Sequence, residues 1–462
     1  MNDTICAIST APGSGGIAVI RVSGPEAVAI CNGMFFAKNK EKNLFTQPAY
    51  SICYGSIRRG EEYLDEALVS LFRAPHSYTG QDTVEITCHG SPYIQQQILQ
   101  LLVEKGCRTA LPGEFTQRAF LNGKMDLSQA EAVADLIAST SAGMHKLAMN
   151  QMRGSFGREL EKLREQLLNF TSLIELELDF GEEDVEFADR THLKQLASDM
   201  ACLIRKLADS FSVGNAIKNG IPVAIIGETN VGKSTLLNHL VGEERAIVSD
   251  IHGTTRDVIE DTINLSGITF RFIDTAGIRE TTDTIESLGI ERTFVKLQQA
   301  SIVLWVIDLT GSPARLEALS EVIVPRLEGK KTILLFNKSD LLSQAELEAS
   351  HQLLPDIVAH RLYISSKERE DIHLLKHHLI EIANIPTIHS ADVIITNIRH
   401  YEALIHAHAA LLRILEGLTQ NISGDFLSQD IRECLYHLGE ITGHISNTEI
   451  LFNIFNRFCI GK

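Results

Sequence analysis

The sequence of 462 residues predicts a multidomain fold in which an α+β domain precedes a bundle of long helices and an inserted α/β domain. Short strand-like and helical stretches alternate in the first part of the chain, as in α+β domains. Apolar residues at three- and four-residue spacing, typical of amphipathic helices, flank a central segment on both sides. Within that segment, buried strand-like runs end in turn motifs, which is typical of a parallel sheet. The predicted domain boundaries are 1–122, 123–218, 219–383 for the insertion, and 384–462.

The N-terminal domain is predicted to be a mixed α+β unit. Two strands, at 4–9 and 16–22, are joined by a loop that contains proline and glycine. This pattern alone indicates no ligand. The remaining predicted elements are a helix at 25–35, strands at 50–58, 66–72 and 83–88, and a helix at 93–105.

The helical domain is predicted from long amphipathic stretches before and after the insertion. Neither set buries its apolar stripes by itself, so one bundle interrupted by the inserted domain is the simpler interpretation. Insertions are tolerated where both ends of the insert lie close together at a surface. The predicted helices lie at 127–152, 156–178, 191–217, 399–421, 427–442 and 448–458.

A glycine-rich loop begins the inserted domain and matches the phosphate-binding pattern of Gly, four residues and Gly-Lys-Ser. It runs from Gly227 to Ser234, between an apolar strand at 221–226 and a predicted helix. In this context, backbone N–H groups and the helix N-terminus point at phosphates. Lys233 is expected to contact the terminal phosphates and Ser234 to bind Mg²⁺. The predicted nucleotide contacts here are Asn230, Val231, Gly232, Lys233, Ser234 and Thr235.

Three further motifs follow successive apolar strands and predict that the nucleotide is GTP. The first, 274–277, is expected to bind Mg²⁺ through water and to contact the γ-phosphate. The second, 337–340, is expected to recognise guanine, because the Asp340 carboxylate accepts two N–H bonds that adenine does not offer. The third is 364–367. This order of motifs resembles the translation-factor-like GTPases and lies at the carboxyl ends of strands, where α/β sheets bind ligands. The predicted contacts are Asp274, Thr275, Ala276, Gly277, Asn337, Lys338, Asp340, Ser365, Ser366 and Lys367.

The stretch 250–257 lies where a GTPase has its first switch segment. Thr255 is the expected second hydroxyl ligand of Mg²⁺. Many GTPases orient the attacking water with a glutamine directly after Asp-x-x-Gly, but Ile278 occupies that position here. Because Ile278 cannot hydrogen-bond, hydrolysis must position water and neutralise charge in another way. The further predicted nucleotide contacts are Ser249, Asp250, Ile251, His252, Gly253, Thr254 and Thr255.

Composition and charge limit the class of protein. A hydrophobic content of 44% and a charged content of 22% are typical of a soluble globular protein, and no apolar run is long enough to span a bilayer. The N-terminus lacks the basic stretch of a signal peptide, and eight scattered cysteines indicate reduced thiols. A cytoplasmic location is therefore expected. The net charge of −17 argues against nucleic-acid binding over most of the protein surface but permits a local basic patch.

Over essentially its full length the chain resembles the MnmE (TrmE) family of GTPases, which modify the wobble uridine of tRNA. The resemblance implies a GTP hydrolase that installs a carboxymethylaminomethyl-type group at C5 of that uridine. It also implies an N-terminal domain for folate binding and dimerisation, and a Ras-like fold for the inserted domain. The segments that carry the resemblance are 12–16 (PGSGG), 21–24 (RVSG), 112–122 (PGEFTQRAFLN), Lys124, 253–257 (GTTRD) and 458–462 (FCIGK).

The resemblance implies that the N-terminal domain binds 5-formyltetrahydrofolate or methylene-tetrahydrofolate as a one-carbon donor. By position, Arg21, Glu85 and Lys124 match the family's folate contacts, and Lys462 completes the site. The chemistry fits, because a folate carries carboxylates for cations and a pterin whose N–H groups suit a glutamate. Cys459 matches the family's terminal motif and is expected to act there as a thiol.

The resemblance also implies that two GTPase domains pair across the nucleotide in a K⁺-dependent way. A K⁺ there neutralises charge between the phosphates, as an arginine finger does. Ser249 replaces the threonine expected at its position but keeps a hydroxyl. The implied K⁺ ligands are Asn230, Ser249, Thr254 and the backbone carbonyl of Ile251.

Glu286 matches the family's water-activating glutamate and joins Thr255, Lys233 and Cys459 as the predicted catalytic residues. The implied partners are a second copy of the chain, tRNA, and the flavoprotein MnmG (GidA) in a heterotetrameric complex. The alternative function is a GTPase switch in ribosome assembly or signalling, with the first domain serving as an adaptor. Binding of 5-formyltetrahydrofolate discriminates between the two.

Overall fold

The computed structural model divides the chain into two compact units. The first unit comprises Met1–Ala138, Ala148–Ala208 and Arg399–Lys462, and the second comprises Ser139–Leu147 and Asp209–Ile398. The structure describes residues 3–179, 190–242, 261–273, 294, 297–311, 313–343, 360–386, 392–420, 422–445, 448–456 and 458–461. Within these ranges, no helix combines the length and the apolarity that crossing a bilayer requires.

A seven-stranded sheet forms the N-terminal part of the first unit. Its strands lie in the order β3-β4-β5-β6-β2-β1-β7 and are antiparallel except for the β1–β7 pair. Helices α1 and α2 cover one face, and alternate strand residues leave the other face partly exposed. The elements are β1 (Ile5–Ile8), β2 (Ile17–Ser23), α1 (Ala27–Asn32), β3 (Phe35–Ala37), β4 (Ser51–Arg59), β5 (Glu62–Phe72), β6 (Thr83–His89), α2 (Pro92–Glu104), β7 (Arg108–Thr109) and α3 (Glu114–Leu121).

The predicted mixed α+β class is confirmed, but two predicted elements have different ends. The helix predicted at 25–35 ends at Asn32, and Phe35 instead begins β3, where it pairs with Ile57 of β4. Strand β5 begins at Glu62 rather than at residue 66. The reason is a register shift after Ile57, which lets the hairpin continue as far as the Arg59–Glu62 pair.

Helices from both sides of the inserted segment share one core in the first unit. Leu127 and Ala130 of α4 pack with Leu451, Phe455 and Phe458 near the C-terminus. The bundle therefore needs both parts of the chain. Among the residues that the structure describes, the remaining α-helices are α4 (Leu127–Ala138), α5 (Ala142–Met152), α6 (Ser155–Asp179), α7 (Arg190–Asp209), α8 (Phe211–Asn219), α9 (Lys233–Gly242), α10 (Pro313–Ile323), α11 (Arg369–Ala383), α12 (Ile398–Thr419), α13 (Gly424–Thr442) and α14 (Thr448–Phe455).

Two predicted helices are interrupted by residues that favour helix ends. The helix predicted at 127–152 breaks between α4 and α5, where the Ser141 hydroxyl accepts a hydrogen bond from the Met144 N–H at 3.2 Å. The helix predicted at 191–217 breaks at Ser210, whose hydroxyl accepts from the Ile395 N–H at 3.0 Å. In both cases the hydroxyl of a serine at the break accepts a hydrogen bond from a backbone N–H.

A buried ion cluster joins α4 to α12. The Glu131 carboxylate lies 3.1 Å from Arg399 and 2.7 Å from His400. Burial by itself raises the pKa of Glu131, but His400 and Arg399 outweigh it and lower that pKa to about 2. The cluster fixes the register of the first bundle helix against a helix that follows the insertion.

The second unit is an α/β domain with helices on both faces of a six-stranded sheet. The strands are β8 (Ile221–Ile226), β9 (Asp261–Leu265), β10 (Ile268–Phe272), β11 (Ile302–Asp308), β12 (Lys331–Asn337) and β13 (His360–Ile364). Their order is β13-β12-β11-β8-β10-β9, parallel except for β9. Strands β11 and β12 are buried almost throughout, as expected of central strands covered on both faces. The carboxyl ends of β8, β11, β12 and β13 therefore meet at one edge of the sheet.

Candidate functional sites

The loop after β8 has the backbone of a phosphate-binding turn. Gly227, Asn230 and Gly232 have positive φ angles of 148°, 63° and 99°. A Cβ on Gly227 would lie 2.3 Å from the carbonyl oxygen of Val306, and a Cβ on Gly232 would lie 2.3 Å from Nδ2 of Asn337. Both glycines are therefore required by close approach as well as by conformation.

Lys233 begins helix α9 at the end of this loop. Its ammonium group donates to the Gly227 carbonyl at 2.7 Å and to the Glu228 carbonyl. The cation thus lies over the loop that precedes it. Ser234 and Thr235 follow in the first helical turn, and the N-terminus of a helix is suited to bind an anion.

Asn337, at the end of β12, connects this loop to the end of β13. Its side-chain amide is buried; Nδ2 donates to the Val231 carbonyl at 2.6 Å and to the Ser366 hydroxyl at 3.4 Å. Its Oδ1 accepts from the backbone N–H of Ser366 at 2.9 Å. The asparagine of the 337–340 motif therefore holds two other predicted motifs in place.

The remaining guanine-recognition residues lie at the same edge of the sheet. Lys338 adopts a left-handed conformation with φ of 66°, and its ammonium group lies 2.5 Å from the Asp308 carboxylate. Burial raises the pKa of Asp308, but hydrogen bonds from Lys338 and Thr310 outweigh it and leave that pKa below its ordinary value. Asp340 is exposed in the short 3₁₀ helix Ser339–Leu341.

The end of β13 contributes Ser365, Ser366 and Lys367. The Ser365 N–H donates to the Asp371 carboxylate at 2.6 Å, which ties the turn to the start of α11. Ser365 and Ser366 are buried, whereas Lys367 is exposed. The structure therefore brings the 230–235, 337–340 and 365–367 segments together. The predicted residues that lie outside its described ranges are Ser249, Asp250, Ile251, His252, Gly253, Thr254, Thr255, Asp274, Thr275, Ala276, Gly277, Glu286 and Lys462.

In the first unit, Arg21 and Glu85 are cross-strand neighbours on β2 and β6. Arg21 Nε and Nη2 lie 2.9 Å and 2.8 Å from Oε1 of Glu85. The guanidinium lies over two aromatic rings, 5.3 Å from the centroid of Tyr78 and 5.6 Å from that of Phe115. The pair lies on the partly exposed face of the sheet, and the Tyr78 and Phe115 rings pack against the Arg21 guanidinium.

Lys124 lies beside the loop that carries Tyr78. Its ammonium group donates to the Pro75 carbonyl at 2.9 Å, and Asn122 Nδ2 donates to the Thr79 carbonyl at 2.7 Å. The segment 75–80 thus has Lys124 against it and the Tyr78 ring beneath Arg21. This loop is the structural connection between two of the predicted folate contacts.

The C-terminal motif packs against the same part of the first unit. The Ser9 hydroxyl donates to the Gly461 carbonyl at 3.0 Å, and the Gly113 N–H donates to the Cys459 carbonyl at 3.4 Å. A Cβ on Gly461 would lie 2.1 Å from the Ile8 carbonyl oxygen, so the close approach requires glycine. Cys459 is an exposed free thiol.

Tyr78 and Phe115 were not predicted as site residues. Phe115 lies within the 112–122 segment that carries the family resemblance, which is the only sequence signal that points to it. Tyr78 is recognisable only in three dimensions, because its ring comes under Arg21 through a loop. Among the described residues, no group of three or more His, Cys, Asp or Glu side chains is arranged to hold a metal ion.

Two family models match the chain. One, described as the MnmE helical domain, matches residues 127–459, and the other, described as the GTP-binding protein TrmE N-terminus, matches residues 4–124. The tRNA modification GTPase MnmE of Bacteroides thetaiotaomicron is 62% identical over 463 residues, which cover 100% of this chain and 99% of the relative. The protein of the same name from Parabacteroides distasonis is 61% identical over 461 residues, which cover 99% and 100%.

Solved structures match a smaller part of the chain. Era in complex with MgGDPNP and nucleotides 1506–1542 of 16S ribosomal RNA is 26% identical, with a TM-score of 0.27, over 41% of this chain and 66% of that one. The full-length relatives and the two family models are decisive. This chain belongs to the MnmE family of tRNA modification GTPases, GTP hydrolases that act in tRNA modification.

Proposed function

We propose that this protein is a K⁺-dependent GTPase, activated when two GTPase domains pair, that drives C5 modification of the tRNA wobble uridine. The added group is of the carboxymethylaminomethyl type, and its one-carbon unit comes from formyl- or methylene-tetrahydrofolate. The protein acts in the cytoplasm as a homodimer, in a heterotetrameric complex with the flavoprotein MnmG (GidA). The observation that carries the folate part is the Arg21–Glu85 pair above the Tyr78 and Phe115 rings.

The chemistry of this pair suits a folate. Glu85 uses Oε1 for Arg21, and among the described residues its Oε2 has no hydrogen-bond partner, so an acceptor remains for a pterin N–H. The side chains of Arg21 and Glu85 are 21% and 25% exposed, so a ligand on the open sheet face can reach both. Lys124 supplies a second cation for a carboxylate of the glutamyl tail. When bound, the folate supplies the one-carbon unit, and the residues of this chain hold and orient it.

The nucleotide site supports hydrolysis by a cation-assisted route. Lys233 and Ser234 stand at the N-terminus of α9, where they suit the phosphates and Mg²⁺. Asn230 is exposed on the loop with its left-handed backbone, and it is the predicted K⁺ ligand within the described residues. Ile278 cannot orient water, so Glu286 is the proposed general base, and the cation neutralises charge between the phosphates.

Exposed apolar side chains on the open sheet face support dimerisation of the N-terminal domain. Ile52 lies in the same cross-strand row as Glu85 and Arg21, and Leu68 lies in the next row. Ile17, Ile52 and Leu68 are 67%, 62% and 44% exposed in the single chain. A second copy over this face would remove them from water, which is favourable by about 25 cal/mol per Å² of apolar surface.

The test is calorimetric titration of the full-length protein with 5-formyltetrahydrofolate. Arg21→Ala should weaken binding about ten- to a hundred-fold, because a hydrogen bond to a charged group contributes about 1.5–3 kcal/mol. GTP affinity should not change, since Arg21 lies in the first unit and the phosphate loop in the second.

Arg59→Ala is the matched control, because Arg59 is a strand residue of the same sheet and also pairs with a glutamate, Glu104 of α2, at 3.4 Å. Unchanged folate affinity in the Arg21→Ala variant would remove that residue from the site. A wild-type protein that binds no folate would favour the alternative, a GTPase switch in ribosome assembly or signalling. Nucleoside analysis of tRNA from a strain lacking the protein then decides whether the uridine modification is lost.

A further inference from the structure

A cleft lined by cationic and aromatic side chains lies at the β3 edge of the seven-stranded sheet. Its volume is about 620 Å³. Lys38, Lys40, Lys42 and Arg58 line it together with one carboxylate, that of Glu66. This basic cleft therefore has a local excess of three positive charges on a chain whose net charge is −17.

Three large rings stand open to solvent in the basic cleft. Phe36, Tyr54 and Tyr63 are 47%, 42% and 51% exposed. The Arg58 guanidinium lies 5.1 Å from the Phe36 centroid and 5.7 Å from the Tyr63 centroid, and the Lys38 ammonium lies 5.5 Å from the Tyr54 centroid. Cations and ring faces are thus interleaved, which is a surface suited to groups that are both planar and anionic.

Hydrogen bonds and the close approach of β3 to β4 hold the side chains of the cleft in place. Arg58 Nε donates to the Ser56 hydroxyl at 3.0 Å, which fixes the guanidinium between its two rings. The Tyr54 hydroxyl donates to the Glu66 carboxylate, which engages the only acid of the lining. A Cβ on Gly55 would lie 2.3 Å from the Phe36 carbonyl oxygen, so glycine lets β3 approach β4 closely enough to hold the rings in place.

The three lysines are available to a ligand. Lys38, Lys40 and Lys42 are all exposed in the segment that follows β3, and none of them forms an ion pair with another described residue. Their alternate spacing offers several separate positive charges along one rim. A chain of phosphates fits such a rim, because each phosphate meets its own cation.

We propose that the basic cleft binds a single-stranded segment of RNA, with phosphates on the lysine rim and a base stacked on the exposed rings beside Arg58. Unstacked bases are recognised on aromatic side chains and on arginine planes in many single-strand binders. An acidic peptide would match the lysines but would leave the rings without a planar partner. The inference rests on the tRNA-modifying activity of the family, and is independent of the folate and K⁺ steps proposed above.

The test measures binding of a fluorescein-labelled unmodified tRNA transcript to the full-length protein over a range of salt concentrations. Each phosphate contact to a single strand contributes about −0.7 to the slope of log affinity against log salt. The triple variant Lys38→Ala, Lys40→Ala, Lys42→Ala should therefore reduce the slope by about two and weaken binding at least about tenfold at 0.1 M salt. Lys105→Ala, which removes an exposed lysine after α2 and outside the basic cleft, is the control for the loss of lysine charge and should behave as the wild type.

The rings are tested separately from the charges. Tyr63→Ala should weaken binding about five- to a hundred-fold with an unchanged salt slope, because stacking contributes about 1–3 kcal/mol per base. Tyr63→Phe keeps the ring and should bind as the wild type. Arg58→Lys keeps the charge but loses the planar group, so it should weaken binding without changing the slope.

Three results would overturn the inference. One is tRNA binding by the triple lysine variant with the affinity and slope of Lys105→Ala. Another is a wild-type protein that binds no tRNA at low salt. The third is loss of the dimer by the cleft variants in sedimentation, which would make the cleft a contact between copies. Titration of the same variants with 5-formyltetrahydrofolate should give wild-type affinity, so failure here and failure of the folate proposal can be told apart.

Discussion

Replacing Asn337 by alanine should loosen the phosphate-binding loop from the rest of the nucleotide site. The change removes two short hydrogen bonds, at 2.6 Å and 2.9 Å, and one long one at 3.4 Å. It leaves the carbonyl of Val231 and the N–H of Ser366 without this partner. At about 0.5–1.5 kcal/mol for each bond, the expected loss is about 2–3 kcal/mol. If the whole loss falls on the loop, affinity for GTP and GDP should drop about thirty- to a hundred-and-fifty-fold.

The assay combines titration with a fluorescent GTP analogue and thermal unfolding of the same samples. Asn219→Ala is the matched control: Asn219 is exposed in the same unit and its Nδ2 donates to Asn215 at 2.6 Å, so its loss should change stability by less than about 0.5 kcal/mol. Asn337→Asp keeps the size but turns an acceptor toward the Val231 carbonyl, so it should be at least as harmful as alanine. Wild-type nucleotide affinity and stability in both Asn337 variants would refute the bridging role.

Three further outcomes are expected. Asp340→Asn should weaken GTP and admit xanthosine nucleotides in competition binding, because an amide donates where the carboxylate accepted. GTP turnover at matched ionic strength should rise steeply when K⁺ replaces Na⁺; Asn230→Ala should abolish that response but spare nucleotide binding, and Glu286→Ala should slow hydrolysis about 10²–10⁴-fold. The folded-state pKa of Glu131, about 2, lies below its ordinary 4.5, so its contribution is complete above pH 4.5 and is lost as pH falls toward 2. Urea unfolding should therefore show that the free energy of unfolding of the wild type falls by about 3 kcal/mol more than that of Glu131→Gln between pH 4.5 and pH 2.

The phosphate loop was predictable from sequence because its chemistry is local. Glycines at Gly227 and Gly232 are needed for positive φ angles, and Lys233 and Ser234 follow in the next helical turn. The contact between Asn337 and the loop was not predictable, because it joins residues 106 positions apart. Sequence analysis assigned the 337–340 motif to guanine alone, whereas its first residue also supports the neighbouring loop.

The N-terminal domain was less predictable, because its site depends on register. Arg21 and Glu85 meet only when β2 pairs with β6, and sequence analysis gave them separate roles on the folate. The length of the helix predicted at 25–35 was wrong, since a short edge strand begins at Phe35 once β4 is there to pair with it. Local pattern does not contain such information, because a strand pair is defined by two distant segments.

The core shared by helices before and after the insertion has a consequence for synthesis on the ribosome. Leu127 and Ala130 pack against Phe455 and Phe458, so this core cannot form until Phe458 has emerged. The strands of the second unit, in contrast, lie within one continuous stretch and can pair earlier. The inserted unit should therefore fold before the helical bundle, whose early helices keep their apolar faces exposed until then. A chain that stops before Phe455 would then have a folded nucleotide-binding unit and a helical bundle whose apolar core cannot be completed.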